Sequence, residues 1–467
     1  MTGTTAPAAP GHLDTLRRLA PLAWPVFIGQ VAVLAFSTVD TVLVARYSAT
    51  DLAALAVGAA IYITVFVGLM GVVLAISPIA GQLFGARKLN EAGEQLHQTV
   101  WLALGLSVLG CLVLLFPEPF LASSHASPKV AAKVRGYLQA LALSLPAALL
   151  FTAFRGFNTA VSRPKAVMAM QLVGLALKVP LTALLIYGFS VGGMQMPPLG
   201  AVGCGIATAL VMWAQALIAL VWLRRDGFYA SFGLHGTGLH APRAADIKAL
   251  LKLGIPMGAG ILIEVTGFTF MAIFIARLGT TPVAGHQVAV NLVSLMFMAP
   301  LALGNAAQTL VAQRVGAHDA ADARRLGWHS LEIALALAFC LGALVFFARE
   351  QVLGFYTQDP VIIAAAMPLL LWVWVFHIGD AGQTVAAFVL RAHRIAVVPM
   401  VVYALALWGL GLGGGYWLAF GDTAWVPAEF HGARGFWSAA TAGLVSAALG
   451  LSGFLAWVHG REAAGQI

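Results

Sequence analysis

The chain reads as a succession of apolar runs broken at glycine, proline and clustered charge. Twelve runs are long enough to cross the roughly 30 Å hydrocarbon layer as helices. They are predicted near residues 20–45, 52–80, 98–117, 130–153, 166–189, 200–223, 250–276, 284–311, 328–348, 361–390, 397–419 and 436–458. The opening stretch, MTGTTAPAAPGHLDTLRRLA, reads as a short disordered tail. The apolar segment after it is too long for a cleaved signal peptide and is expected to remain as the first span. The pattern therefore predicts an all-α integral membrane protein.

Basic residues are distributed unevenly between alternate loops. The tail, the even-to-odd loops and the C-terminus carry eighteen Lys and Arg, among them Arg17, Arg18, Arg87, Lys88, Arg224, Arg225 and Arg461; the opposite loops carry seven. By the positive-inside rule both termini are expected on the cytoplasmic side of the inner (plasma) membrane. The net charge of +8 is thus an orientation signal and gives no reason to expect a nucleic-acid partner.

A shift of 231 residues aligns 22–86 with 253–317 without a gap, with fourteen identities that include Pro25 with Pro256, Arg46 with Arg277 and Gln82 with Gln313. Two copies of six spans each enter the membrane with the same topology, which predicts two six-helix lobes related by a pseudo-two-fold along the membrane normal. The expected organisation is a cytoplasmic tail at 1–19, an N-lobe at 20–225, a cytoplasmic inter-lobe linker at 226–249, a C-lobe at 250–460 and a short tail at 461–467. The linker, DGFYASFGLHGTGLHAPRAADIKA, reads as a polar joint long enough to let the lobes move.

Composition agrees: 60% of residues are apolar and 9% charged, against about 25% charged in soluble domains. Cys111, Cys204 and Cys340 lie inside apolar runs without metal-like or disulfide-like spacing, and read as small core residues.

Three of the eighteen acids fall well inside spans: Asp40, Glu264 and Asp380. A charge at bilayer depth costs roughly 2.5–3.5 kcal/mol even on lenient insertion scales, so such residues usually mark an ion or substrate pathway. The bland alternative is a carboxylate tied into a network that only holds helices together. In the repeat Asp40 aligns with Met271 and Glu264 with Val33, so the two lobes carry different acids. Phe268 follows Glu264 by one turn, and Phe376, His377, Gln383 and Thr384 share or border the face of Asp380, a set suited to a monovalent cation. His377 titrates near neutrality if it lines water, whereas a hydrogen-bonded structural histidine is the competing reading. Lys178, near the midpoint of the fifth span, is too deep to snorkel comfortably, and Asp40 is its nearest candidate partner.

The stretches PLAWPVFIGQVAVLAFSTVDTVLVAR, GHQVAVNLVSLMFMAPLALGNAAQTLVAQRVGA, RGFNTAVSRPK and GDAGQTVAAFVLRAHR together resemble the multidrug and toxic compound extrusion (MATE) transporters, in particular their NorM-like branch, over nearly the whole chain. The resemblance implies export of bulky lipophilic, often cationic, small molecules in exchange for inward H+ or Na+, with no other cofactor, from a monomer in the bilayer. It matches Asp40 to the acid of helix 1, Glu264 and Asp380 to a cation-site pair, Phe268 and Gln287 to neighbours of that pair, and Asp359 to an extracellular-loop acid that contacts substrate. Two positions depart from the pattern. Phe376 stands where Na+-coupled relatives carry tyrosine, which tilts the reading towards H+, and Lys178 stands where asparagine is usual.

A lipid-linked saccharide flippase of the same superfamily would need a strongly cationic cavity, whereas these interior charges are mainly acidic. An integral-membrane enzyme is disfavoured because the sequence has no HExxH, no closely spaced metal carboxylates and no Gly-rich phosphate loop. A channel would not need a duplicated lobe pair with separate acids.

Overall fold

The computed structural model describes residues 11–464 apart from 125–126, 192–193, 237 and 422–425. The first half runs through α1 (His12–Tyr47), α2 (Ala49–Val73) and its continuation α3 (Ile76–Gly85), α4 (Leu89–Leu115), the short α5 (Glu118–Ser124), α6 (Pro128–Ala160) and α7 (Pro164–Tyr187). A small antiparallel hairpin of β1 (Phe189–Val191) and β2 (Met194–Met196), with Ser190 opposite Gln195, precedes α8 (Ala201–Arg225). The second half runs through α9 (Ala244–Ala276), α10 (Thr280–Gly316), α11 (Ala320–Phe347), the short α12 (Arg349–Tyr356) and α13 (Pro360–Ala366), and α14 (Leu369–Ala392). It ends with α15 (Val397–Tyr403), a π-helical stretch over Ala404–Gly413, α16 (Gly414–Phe420) and α17 (Ala433–Ala463). Among the described residues twelve helical segments are long and apolar enough to cross a membrane.

The duplication read from sequence recurs in the backbone. Arg87 and His318, 231 positions apart, both adopt left-handed φ of about 60°, as do Ser162 and Arg394, 232 positions apart. Each is the sharp residue of a short turn between consecutive helices, a conformation non-glycine residues seldom adopt. The same position in each half also supplies the most enclosed span: α6 and α14 are 78% buried over their most apolar windows, against 17–44% for the others. Polar side chains on those two helices must find partners inside the protein, because neither water nor lipid reaches most of their surface.

The chain forms two compact units, one of residues 25–269 with 394–404 and the other of 1–24 with 270–393 and 405–467. Within the first, α9 packs closely on α2. A Cβ built on Gly71 would lie 2.5 Å from the Gly258 Cα, and one on Gly254 would lie 2.5 Å from the Val72 carbonyl oxygen. Small residues are what permit such backbone approach in a membrane, where no hydrophobic force drives helices together.

Three features differ from the sequence-based expectations. Helix begins at His12, inside the stretch expected to be a disordered tail, because Thr15 hydrogen-bonds His329 at 2.9 Å and Arg18 donates twice to Asp322 on α11. Residues 1–10 of that tail, and 465–467 of the C-terminal one, lie outside the described residues. The tenth span starts at Leu369 and not 361, since Pro368 interrupts the helix and leaves α13 as a separate turn. The linker, expected as a polar joint, is partly folded onto the first unit. Asp226 caps the 3-10 turn Gly227–Phe232, the Tyr229 hydroxyl donates to Asn158, and Phe232 is buried against Phe84 and Phe157. Farther on, Trp101 donates to the His240 carbonyl, and the Gln98 side chain brackets Ala241 and Arg243.

Candidate functional site

Asp40 lies about two turns before the end of α1. The hydroxyls of its neighbours Ser37, Thr38 and Thr41 donate to carbonyls three or four residues back, so these side chains are satisfied by their own helix. Asp40 cannot do this and needs a tertiary partner. Lys178 on α7, only 1% exposed, places Nζ 2.9 Å from Asp40 Oδ1. The contact is an ion pair. The same ammonium donates to Thr208 Oγ1 on α8, whose hydroxyl donates in turn to the Cys204 carbonyl. Cys204 and Tyr137 border the carboxylate. Small residues bring these helices together: a Cβ on Gly29 would collide with Gln171, and one on Gly174 with Gln215.

In the second unit α14 carries the other enclosed acid. Asp380 is 5% exposed and accepts a 3.0 Å hydrogen bond from Gln383 Nε2, which also reaches Thr384 Oγ1 at 3.0 Å. The placement follows from helical spacing, with Gln383 one turn along from Asp380. Phe376 and His377 are fully buried. Phe376 packs on Trp437 of α17 with ring centroids 5.4 Å apart, and Trp437 Nε1 donates to His286 Nδ1 on α10 at 3.2 Å. Neither nitrogen of His377 has a hydrogen-bond partner among the described residues. The buried His286, adjacent to the exposed Gln287, escaped the sequence reading because a lone histidine in an apolar run gives no periodic or charge signal.

Glu264 and Phe268 sit half-buried on α9 and belong to the first unit, whereas Asp380, Gln383 and Gln287 belong to the second. Asp359 is exposed and caps α13 by accepting from the Val361 amide at 2.9 Å. Two acids read as loop or helix-end residues are almost fully enclosed. Asp51 accepts both Lys133 contacts, at 2.9 and 2.8 Å, and the Ala201 amide, tying α2 to α6 and α8. Asp322 gathers Arg18, Arg314 and Arg325. Outside the spans, Asp226 is held at about 2, first by the Phe228 amide and then by Trp222 and Arg163. Burial raises the Tyr229 hydroxyl to about 12.

A twelve-span duplicated bundle with acids enclosed in both units defines a polytopic membrane transporter, and comparison with solved structures agrees on the fold. The eukaryotic MATE transporter AtDTX14 superposes with a TM-score of 0.83 over 96% of both chains at 18% identity. A MOP superfamily transporter from Pyrococcus furiosus superposes with a TM-score of 0.84 over 96% of both chains at 17% identity. In sequence, the MatE family model matches residues 25–184 and 256–417. The chain belongs to the MatE family, as its sequence resemblance implied, and is a transporter and not an enzyme. The probable multidrug resistance protein NorM of Aromatoleum aromaticum is 40% identical over 86% of each chain. The multidrug resistance protein NorM of Vibrio cholerae is 35% identical over 94% of this chain and 95% of its own, and MdtK of Pectobacterium atrosepticum is 35% identical over 94% of each.

Proposed function

We propose that the protein is a secondary active multidrug exporter that expels bulky lipophilic, often cationic compounds across the inner membrane by antiport with inward H+ or Na+. The observation that carries this reading is the enclosure of Asp40 and Asp380 within spans of a MatE chain. The names of its relatives support the substrate class. In this reading Asp40, Glu264 and Asp380 couple cation entry to export, and Phe268, Gln287, Phe376, His377 and Gln383 shape the surroundings of the second-half acids. Asp359 meets substrate at the outer face. Both termini face the cytoplasm, the lobes span 20–225 and 250–460, and the working unit is a monomer.

Competition supplies the mechanism. Deprotonated carboxylates attract a cationic compound; after the switch to the outward state an incoming ion cancels the charge and the compound leaves. Each inward charge contributes roughly 2.3 kcal/mol per 100 mV of membrane potential. H+ is favoured over Na+ because Phe376 offers no hydroxyl ligand. Everted vesicles containing the protein, given a pH gradient or a Na+ gradient separately, test the proposal through uptake of a cationic dye. Uptake driven by the pH gradient is expected; uptake driven by neither gradient overturns antiport.

A further inference from the structure

A cluster that the transport reading does not use lies where the end of α14 meets α17. His393 follows the last residue of α14, and His459 and Glu462 stand three residues apart on one face of α17. One ligand atom from each of the three lies within 4.8 Å of the others. His393 Nδ1 is 2.8 Å from Glu462 Oε1, and the two imidazole centroids are 5.3 Å apart. The His459 residue is 2% exposed and the His393 side chain 4%. Neither His459 nitrogen has a hydrogen-bond partner among the described residues. Trp328 walls the His459 ring edge-on at 6.1 Å, and Gly327 packs beside it, where an added Cβ would lie 3.5 Å from its Cε1. Arg324 is the nearby opposing charge.

Buried polar atoms are nearly always paired, so enclosed imidazole nitrogens call for an occupant. Two imidazoles and one carboxylate form the ligand set of a borderline divalent ion, with a fourth position left for water. We propose that His393, His459 and Glu462 bind a divalent transition-metal ion of the Zn2+ class, which fastens the end of α14 to α17. This site is separate from the coupling acids and does not depend on the transport proposal. The other cluster of this kind, His12 with His329 and Glu332, is more exposed, and Thr15 already occupies one nitrogen of His329.

The test uses the full chain in nanodiscs, purified without a polyhistidine tag and stripped with chelator. Zn2+ binding is titrated by chelator competition, and Co2+ serves as a visible reporter of coordination. The expected result is one Zn2+ per chain, a tetrahedral Co2+ spectrum, and affinity lowered at least about tenfold in both His459→Gln and Glu462→Gln. His329→Gln leaves binding unchanged. Folding is checked by elution profile and thermal midpoint. If His459→Gln does not fold, Glu462→Gln, whose side chain is partly exposed, decides alone. The site is ruled out if the wild type binds no more Zn2+ than Glu462→Gln, or if His329→Gln removes the binding instead.

Discussion

Asp40 and Asp380 are both carboxylates enclosed within spans, yet each half of the duplicated chain treats its acid differently. Asp40 faces an ammonium at 2.9 Å, so its negative charge is balanced on the spot. Asp380 accepts from the neutral amide of Gln383. Adding a proton to the first pair leaves Lys178 with its counter-charge cancelled, whereas the Gln383 contact of Asp380 is with a neutral amide and carries no counter-charge. Equivalent architecture therefore does not imply equivalent chemistry, and the sequence repeat already points this way by aligning Asp40 with Met271.

The largest expected effect is on transport. Asp380→Asn should reduce gradient-driven dye uptake in everted vesicles to the level of empty membranes, while the thermal midpoint of the purified protein moves little. Wild-type uptake by this variant would remove Asp380 from coupling.

Next comes Lys178→Met, which leaves Asp40 facing an apolar side chain. Breaking one side of a buried pair costs about 3–5 kcal/mol, so a clear fall in unfolding midpoint is expected, together with a changed pH dependence of transport. The double variant Asp40→Asn/Lys178→Met should recover most of the lost stability. A double-mutant cycle with no coupling between 40 and 178 would show that the contact carries no energy.

Gln383→Leu is the matching change in the second half and should cost less, about 1–3 kcal/mol, the usual penalty for removing one partner of a buried hydrogen bond. If it costs as much as Lys178→Met, the contrast between the halves fails.

The smallest effect lies outside the membrane. Asp226 is held at about 2 against an ordinary 3.8, so its contribution to stability is complete above about pH 4 and is lost as pH falls towards about 2. Asp226→Asn should flatten acid-side unfolding over that window, and only slightly, because solvent reaches the group.

Much of this arrangement is legible in the sequence. Asp40, Asp380 and Lys178 stand out because a charge within an apolar run is costly wherever its helix packs. Asp51 and Asp322 did not stand out: at helix ends they resemble ordinary first-turn acids, and only the bases that converge on them reveal their burial. The linker misled because its polar composition conceals Tyr229 and Phe232, two rings that insert into the first unit. His286, His393 and His459 gave no sequence signal, since a histidine's role depends on what surrounds its two nitrogens.

The sequence by itself determined the twelve spans, the duplication and which acids must be explained, because hydropathy and insertion cost are local properties summed along one helix. Partnership was decided by the tertiary structure: the sequence names Asp40 only as a candidate for Lys178 and does not link His393 to His459. Asp40 and Lys178 are 138 positions apart, and His393 and His459 are 66 apart; no periodicity links them, and only the packing of one helix on another sets the few ångströms on which their chemistry depends.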